Sequence, residues 1–74
     1  MPLTEAWELN GDTWAVFTEE AECVEAAREA GLKLMAEYYR NGRAIAWQFT
    51  GPKEAVKGVA KANKANTGSG KANR

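Results

Sequence analysis

The sequence predicts an α+β fold of order ββαββα, a four-stranded antiparallel sheet with two helices packed on one face. Three observations carry this expectation. Two Asn-Gly pairs, Asn10-Gly11 and Asn41-Gly42, each lie between runs rich in aromatic and branched residues. That is a strong short-range hairpin signal, because both turn residues tolerate positive φ. Behind each pair of runs comes a stretch whose apolar residues recur at helical spacing. The two halves also match: Phe17, Thr18, Glu22 and Val24 recur in order as Phe49, Thr50, Glu54 and Val56. A ββα unit used twice, with a pseudo-two-fold relation, accounts for the match.

Residues 3–9 (LTEAWEL) and 13–18 (TWAVFT) form the first hairpin, and its register has two solutions. A three-residue Asn10-Gly11-Asp12 loop turns Leu9, Trp7, Ala15 and Phe17 inward and leaves Trp14 and Val16 on the open face. A two-residue loop instead puts Trp7, Trp14 and Val16 together. From Glu19 the period becomes helical. Thr18 is the expected N-cap, and Glu19, Glu20 and Glu22 suit the positive end of the helix dipole. Cys23, Val24, Ala27 and Ala30 share one stripe while Glu22, Glu25 and Glu29 point elsewhere. Gly31 stands at C′, which places the first helix at Glu19–Ala30.

The stretch Leu32 to Thr50 is the second hairpin. With a two-residue Asn41-Gly42 turn, Arg40 faces Arg43, Tyr38 faces Ile45, Ala36 faces Trp47 and Leu34 faces Phe49, all on the apolar side. Lys33, Met35, Glu37, Tyr39, Ala44, Ala46, Gln48 and Thr50 then line the other side. Gly51-Pro52 opens the second helix, since Pro is preorganised for the first helical position, and this helix is expected from Pro52 to about Asn63. Ala55, Val56 and Val59 form its apolar stripe. Lys53, Lys57, Lys61 and Lys64 recur on a different face. The sequence therefore divides into a single α+β domain over residues 1–65 and a flexible, polar, basic tail over residues 66–74.

Seventy-four residues with three Trp make one domain with a small packed core. The ten acidic and ten basic side chains cancel, but unevenly. From Lys53 onward, Lys53, Lys57, Lys61, Lys64, Lys71 and Arg74 stand against one acid, Glu54, while acids dominate the body before it. An acidic body with a basic end raises the question of a polyanionic partner. One cysteine allows no internal disulfide, and the absence of His removes the commonest metal ligand and acid–base group. No leader-like pattern and no run of about 18 apolar residues occurs, so a cytoplasmic location without membrane contact is expected.

Catalysis is not expected. No nucleophile lies beside a base, no C-x-x-C or H-E-x-x-H pattern occurs, and Cys23 falls on the apolar stripe as a small hydrophobe. No cofactor or metal is expected either. Two kinds of binding are. The first is nucleic-acid contact through Lys53, Lys57, Lys61, Lys64 and the tail, with the Arg40/Arg43 hairpin tip. Lys33 and Tyr39 on the open sheet face join it, where an aromatic beside a base can stack unpaired nucleotides. The second is a protein partner docked on the acidic face of Glu22, Glu25 and Glu29, or on the open sheet face with Trp14 and Gln48. The first, which the charge asymmetry makes the preferred reading, makes the chain a small regulatory nucleic-acid-binding protein; the second is the alternative. The second makes it an adaptor or inhibitor, of the kind that phages and mobile elements encode. A small core and an open sheet face are also compatible with a homodimer.

Overall fold

A computed structural model describes residues 3–62 and 66–67. Strands β1 (Thr4–Asn10) and β2 (Thr13–Thr18) form the first hairpin, followed by α1 (Ala21–Glu29). Strands β3 (Lys33–Arg40) and β4 (Arg43–Pro52) form the second, followed by α2 (Lys53–Ala62). The order is ββαββα, and β3, β4, β2 and β1 make a four-stranded antiparallel sheet, as the sequence predicts. A short fifth strand, β5 (Asn66–Thr67), pairs parallel with β1, Glu5 opposite Asn66. Of the tail assigned to residues 66–74, only Asn66 and Thr67 are among the described residues, and both lie in the sheet. Lys64 and the remainder of the tail fall outside them.

The two hairpins are joined where β2 meets β4, with Val16 opposite Phe49 and Phe17 opposite Gln48. Successive side chains leave opposite faces of a strand. Val16 and Phe49, at 0% and 1% exposure, point toward the helices. There they pack with Ala6, Leu32, Cys23, Val24, Ala27, Val56, Val59 and Ala60, and Trp14 and Trp47 close the rim. Phe17 and Gln48 point the other way. Phe17 and Phe49, equivalent in the match between the two halves, thus lie on opposite faces. The element order repeats while the residue-by-residue equivalence does not.

Three local findings differ from the expectation. Helix α1 starts at Ala21 rather than Glu19, and Thr18 is not its N-cap. Thr18 is buried, and its Oγ1 accepts a bond from the Glu20 N–H at 3.0 Å while sharing another with Thr4 Oγ1 at 2.8 Å. Glu20 takes the N-cap place, and its carbonyl accepts from the N–H groups of Cys23 and Val24. The other end is as expected: Gly31 adopts φ 80°, its N–H donates to the Arg28 carbonyl, and the Leu32 N–H donates to the Ala27 carbonyl. That is the paired C-terminal motif that a left-handed C′ residue permits. Helix α2 starts at Lys53, because Pro52 still belongs to β4, opposite Thr13.

The second difference lies in the central hairpin. Asn41 at φ 52° and Gly42 at φ 79° form the tight turn, and Arg40 faces Arg43 as expected. Met35 on β3 and Ile45 on β4 are then each one residue extra, so Tyr38 faces Ala46, Glu37 faces Trp47 and Ala36 faces Gln48. The two bulges offset one another, and Leu34 again faces Phe49. Between them, Ala36 and Tyr38 move to the open face and Glu37 moves to the helix side. The expected facing pairs Tyr38–Ile45 and Ala36–Trp47 do not form.

The third concerns the first hairpin. Leu9 is an extra residue on β1, so Glu8 faces Trp14, Asn10 faces Thr13 and the turn is Gly11-Asp12. Trp7 faces Ala15, the pairing of the three-residue loop, but the opposite side is covered: Trp14 and Val16 go toward the helices while Trp7, Ala15 and Phe17 face out. Two constraints select this side. Val16 must share a face with its seam partner Phe49, and the small Thr4 and Ala6 on that face let a helix approach the sheet.

Gly51, opposite Trp14 on the helix-covered face, is fixed by space rather than by φ. A Cβ placed there would run into Cδ2 of the buried Leu32, whereas one on Gly58 of α2 would meet open space. Gly51→Ala is expected to lower unfolding stability by about 1–3 kcal/mol through overpacking. Gly58→Ala should raise it by about 1 kcal/mol, the helix-propensity difference. Urea denaturation of both variants checks this; a neutral Gly51→Ala would show that Leu32 does not occupy that space.

Candidate docking surface

The face opposite the helices holds Trp7, Phe17, Met35 and Tyr38. Across the four strands one row runs Lys33, Thr50, Ala15, Trp7 and the next runs Ala36, Gln48, Phe17, Glu5. A third begins Tyr38, Ala46. Ala15 and Ala46 are buried as a floor, yet neither belongs to the helix-side core. Trp7, Phe17 and Tyr38 form a diagonal ridge on that floor, and the Phe17 and Tyr38 rings meet edge to face with centroids 5.8 Å apart. The Tyr38 hydroxyl donates to Gln48 Oε1 at 3.4 Å, and Gln48 Nε2 donates to Met35 Sδ at 3.6 Å, which places Met35 on the same surface. Trp7, Met35 and Tyr38 remain between 36% and 51% exposed. Ridge, floor and amide form one continuous surface, with Lys33 on its β3 side, Glu5 on β1, and the Arg40/Arg43 pair, on the same side as Tyr38, at its hairpin-tip end.

The cationic side chains among the described residues are not gathered into one surface. Lys53, Lys57 and Lys61 lie along one flank of α2, since residues four apart share a side. Ala55, Gly58, Val59 and Ala62 on the other flank line the groove against α1. Lys57 Nζ sits 5.0 Å above the Trp14 ring, and Glu8 faces Trp14 across the strand pair, so an acid borders the lysine row. Arg40 and Arg43 are at the opposite end of β4 from Lys53. Ten residues of β4 cover about 30 Å, whereas ten residues of α2 climb only about 15 Å. The tip and the row are therefore separate. Lys33 lies at the border of the open face.

Tyr39 and Trp14, both expected on the open face, are not there. Glu37 faces Trp47 on the helix side, and the Tyr39 hydroxyl donates to Glu37 Oε1 at 2.7 Å. Tyr39 thus leaves the sheet on that side, beyond the helical cover, and is 62% exposed. The bond to Glu37, then the carboxylate charge and slight desolvation, raise its phenol pKa. Gln48 does lie on the open face. Glu22, Glu25 and Glu29 are all exposed and, three and four residues apart, run along one side of α1, with Glu29 at the edge of the groove that Glu54 also lines. Met35 is on the side expected of it, whereas Trp7, Phe17 and Tyr38, expected inside, stand on the exposed surface. The alternation Trp7, Ala15, Phe17 signalled a shared side, but not which side is covered.

Among the described residues no group of three His, Cys, Asp or Glu side chains lies close enough to hold a metal ion. No helix of the described residues is long and apolar enough to cross a membrane. Cys23 is 0% exposed, and burial raises its pKa above the ordinary thiol value, against a hydrogen bond with Thr18 and with a further push from the Glu20 charge. Raised is the wrong direction for a nucleophile, because the reactive form is the thiolate. At pH 9 the folded chain should react with a disulfide reagent at least about a hundredfold more slowly than the urea-unfolded chain, the thiol being released only by opening. Prompt stoichiometric reaction would contradict this placement.

No protein-family model, curated protein or solved structure matches this chain.

Proposed function

We propose that this chain is a small, non-enzymatic protein-interaction module that docks through the open face of its sheet. The observation that carries the reading is the ridge of Trp7, Phe17 and Tyr38 with Met35 and Gln48, a continuous apolar surface left uncovered by either helix. Contiguous exposed apolar patches on small proteins mark interaction sites, and aromatic and Met side chains are enriched in the centres of interfaces. Its polar groups are at the border or satisfied within the face, so covering it strands no charge. The buried, protonated Cys23 supports the non-enzymatic part of the reading.

The competing reading is nucleic-acid contact through α2, favoured by Lys53, Lys57 and Lys61 lying in a row with Lys57 stacked on Trp14. The separation of that row from Arg40 and Arg43, and the neighbouring Glu8, weaken it. Two measurements decide between them. Single- and double-stranded oligonucleotides should show no retardation at low salt. A photo-cross-linker at position 17 should capture polypeptide, whereas one at position 57 should not. Retardation that fades with salt at a logarithmic slope of about −0.9 per phosphate, and is lost in Lys53→Gln/Lys57→Gln/Lys61→Gln, would replace the docking reading with the nucleic-acid one.

A further inference from the structure

The open face has a definite occupant: we infer that it is a second copy of this chain, packed face to face about a two-fold axis parallel to the strands. The inference rests on the docking reading and names its partner. Three observations carry it.

The first is how thin the covered side is. Apart from Phe49 and Leu32, the buried apolar residues are Val, Cys and Ala. Of the exposed large apolar residues, Trp7, Met35 and Tyr38 stand on the open face. A domain this small with so slight a core ordinarily needs a staple, and oligomerisation is one of the few kinds open to a chain with a single cysteine. The partner that meets that need whenever the chain is present is the chain itself.

The second is charge. Lys33 borders the face on β3, and Glu5 stands on β1, three strands across and one row along, with the two-residue β5 outside it. A two-fold axis along the strands lays β3 of one copy over β1 of the other. Lys33 then meets Trp7 and Glu5 of the second copy, and the symmetry repeats the contact on the opposite border. An isologous interface requires this self-complementarity, acid and base on opposite margins of one patch. The same axis lays Phe17 over Gln48 of the second copy and crosses the two Trp7–Phe17–Tyr38 ridges near the centre of the face.

The third is extent. Four strands at about 4.8 Å and three side-chain rows at about 6.6 Å give an outline on the order of 400 Å² per copy. With the relief of the rings this reaches roughly the 1,000 Å² of total buried surface that a specific interface requires.

The test is sedimentation equilibrium of the full chain with two sets of variants. The wild type should sediment at twice its 8.1 kDa chain mass at micromolar concentration. Phe17→Asp should weaken self-association at least about a hundredfold, as expected for a charge buried at the interface centre. Because that variant can also unfold, the exposed border provides the second reading: Lys33→Glu and Glu5→Lys should each weaken association several-fold, and the double exchange should restore it. A wild type monomeric at all concentrations, or a dimer indifferent to both Phe17→Asp and the border exchanges, overturns the proposal. A monomeric wild type that still cross-links to another polypeptide from position 17 overturns the dimer and leaves the docking reading standing.

Discussion

The register between β2 and β4 is the constraint on which the rest of this structure depends. Val16 opposite Phe49 and Phe17 opposite Gln48 join two local hairpins into one sheet and decide which side of each strand is covered. A slip of one residue would turn Val16 or Phe49 to solvent and bring a neighbour with different volume under the helices. The seam is also non-local: it joins Thr13 to Pro52, near opposite ends of the described chain, so it forms only after both hairpins exist. Its geometry passes directly into the helical layer. Lys53 N–H, the first donor of α2, bonds to the Asp12 carbonyl at the turn of the first hairpin, at 2.7 Å.

Small residues on the helix side and large ones on the other follow from this one arrangement. Ala27, Val24 and Cys23 of α1 and Val56, Val59 and Ala60 of α2 bring the helices close to the sheet, and closeness leaves room for one large ring, Phe49. Gly51 beneath Leu32 is part of the same tight approach. The remaining aromatic side chains must go to the rim, as Trp14 and Trp47 do, or to the far face, as Trp7, Phe17 and Tyr38 do. What makes the helical side compact therefore makes the opposite face apolar. The docking surface is a consequence of how the core is built.

Much of this was legible in the residues. Asn41-Gly42 specified its turn because both positions take positive φ, and Gly31 specified the end of α1 because its carbonyl partners need a left-handed C′ residue. The stripes Cys23/Val24/Ala27 and Val56/Val59 located the helices because only one face of each is apolar. The covered side of the first hairpin was not legible, since Trp7/Ala15/Phe17 and Trp14/Val16 are equally apolar and contrast alone cannot choose between them. The bulges at Leu9, Met35 and Ile45 leave no compositional mark, yet each exchanges the faces of its neighbours. Thr18 looked like a cap because it precedes the acidic first turn; its hydroxyl bonds Thr4 and the Glu20 N–H instead, one step before the helix begins. Pairing of Asn66–Thr67 with β1 depends on where α2 delivers the chain, which two polar residues do not encode.

The most direct measurement of the seam is a nuclear Overhauser spectrum of the aromatic and methyl protons. The account predicts cross-peaks between the Phe17 and Tyr38 rings and between the Val16 and Val56 methyl groups, with none from Phe17 to the valines of either helix. Cross-peaks from the Phe17 ring to Val24, Val56 or Val59 would place it under the helices, and the register, the open face and everything drawn from them would be wrong.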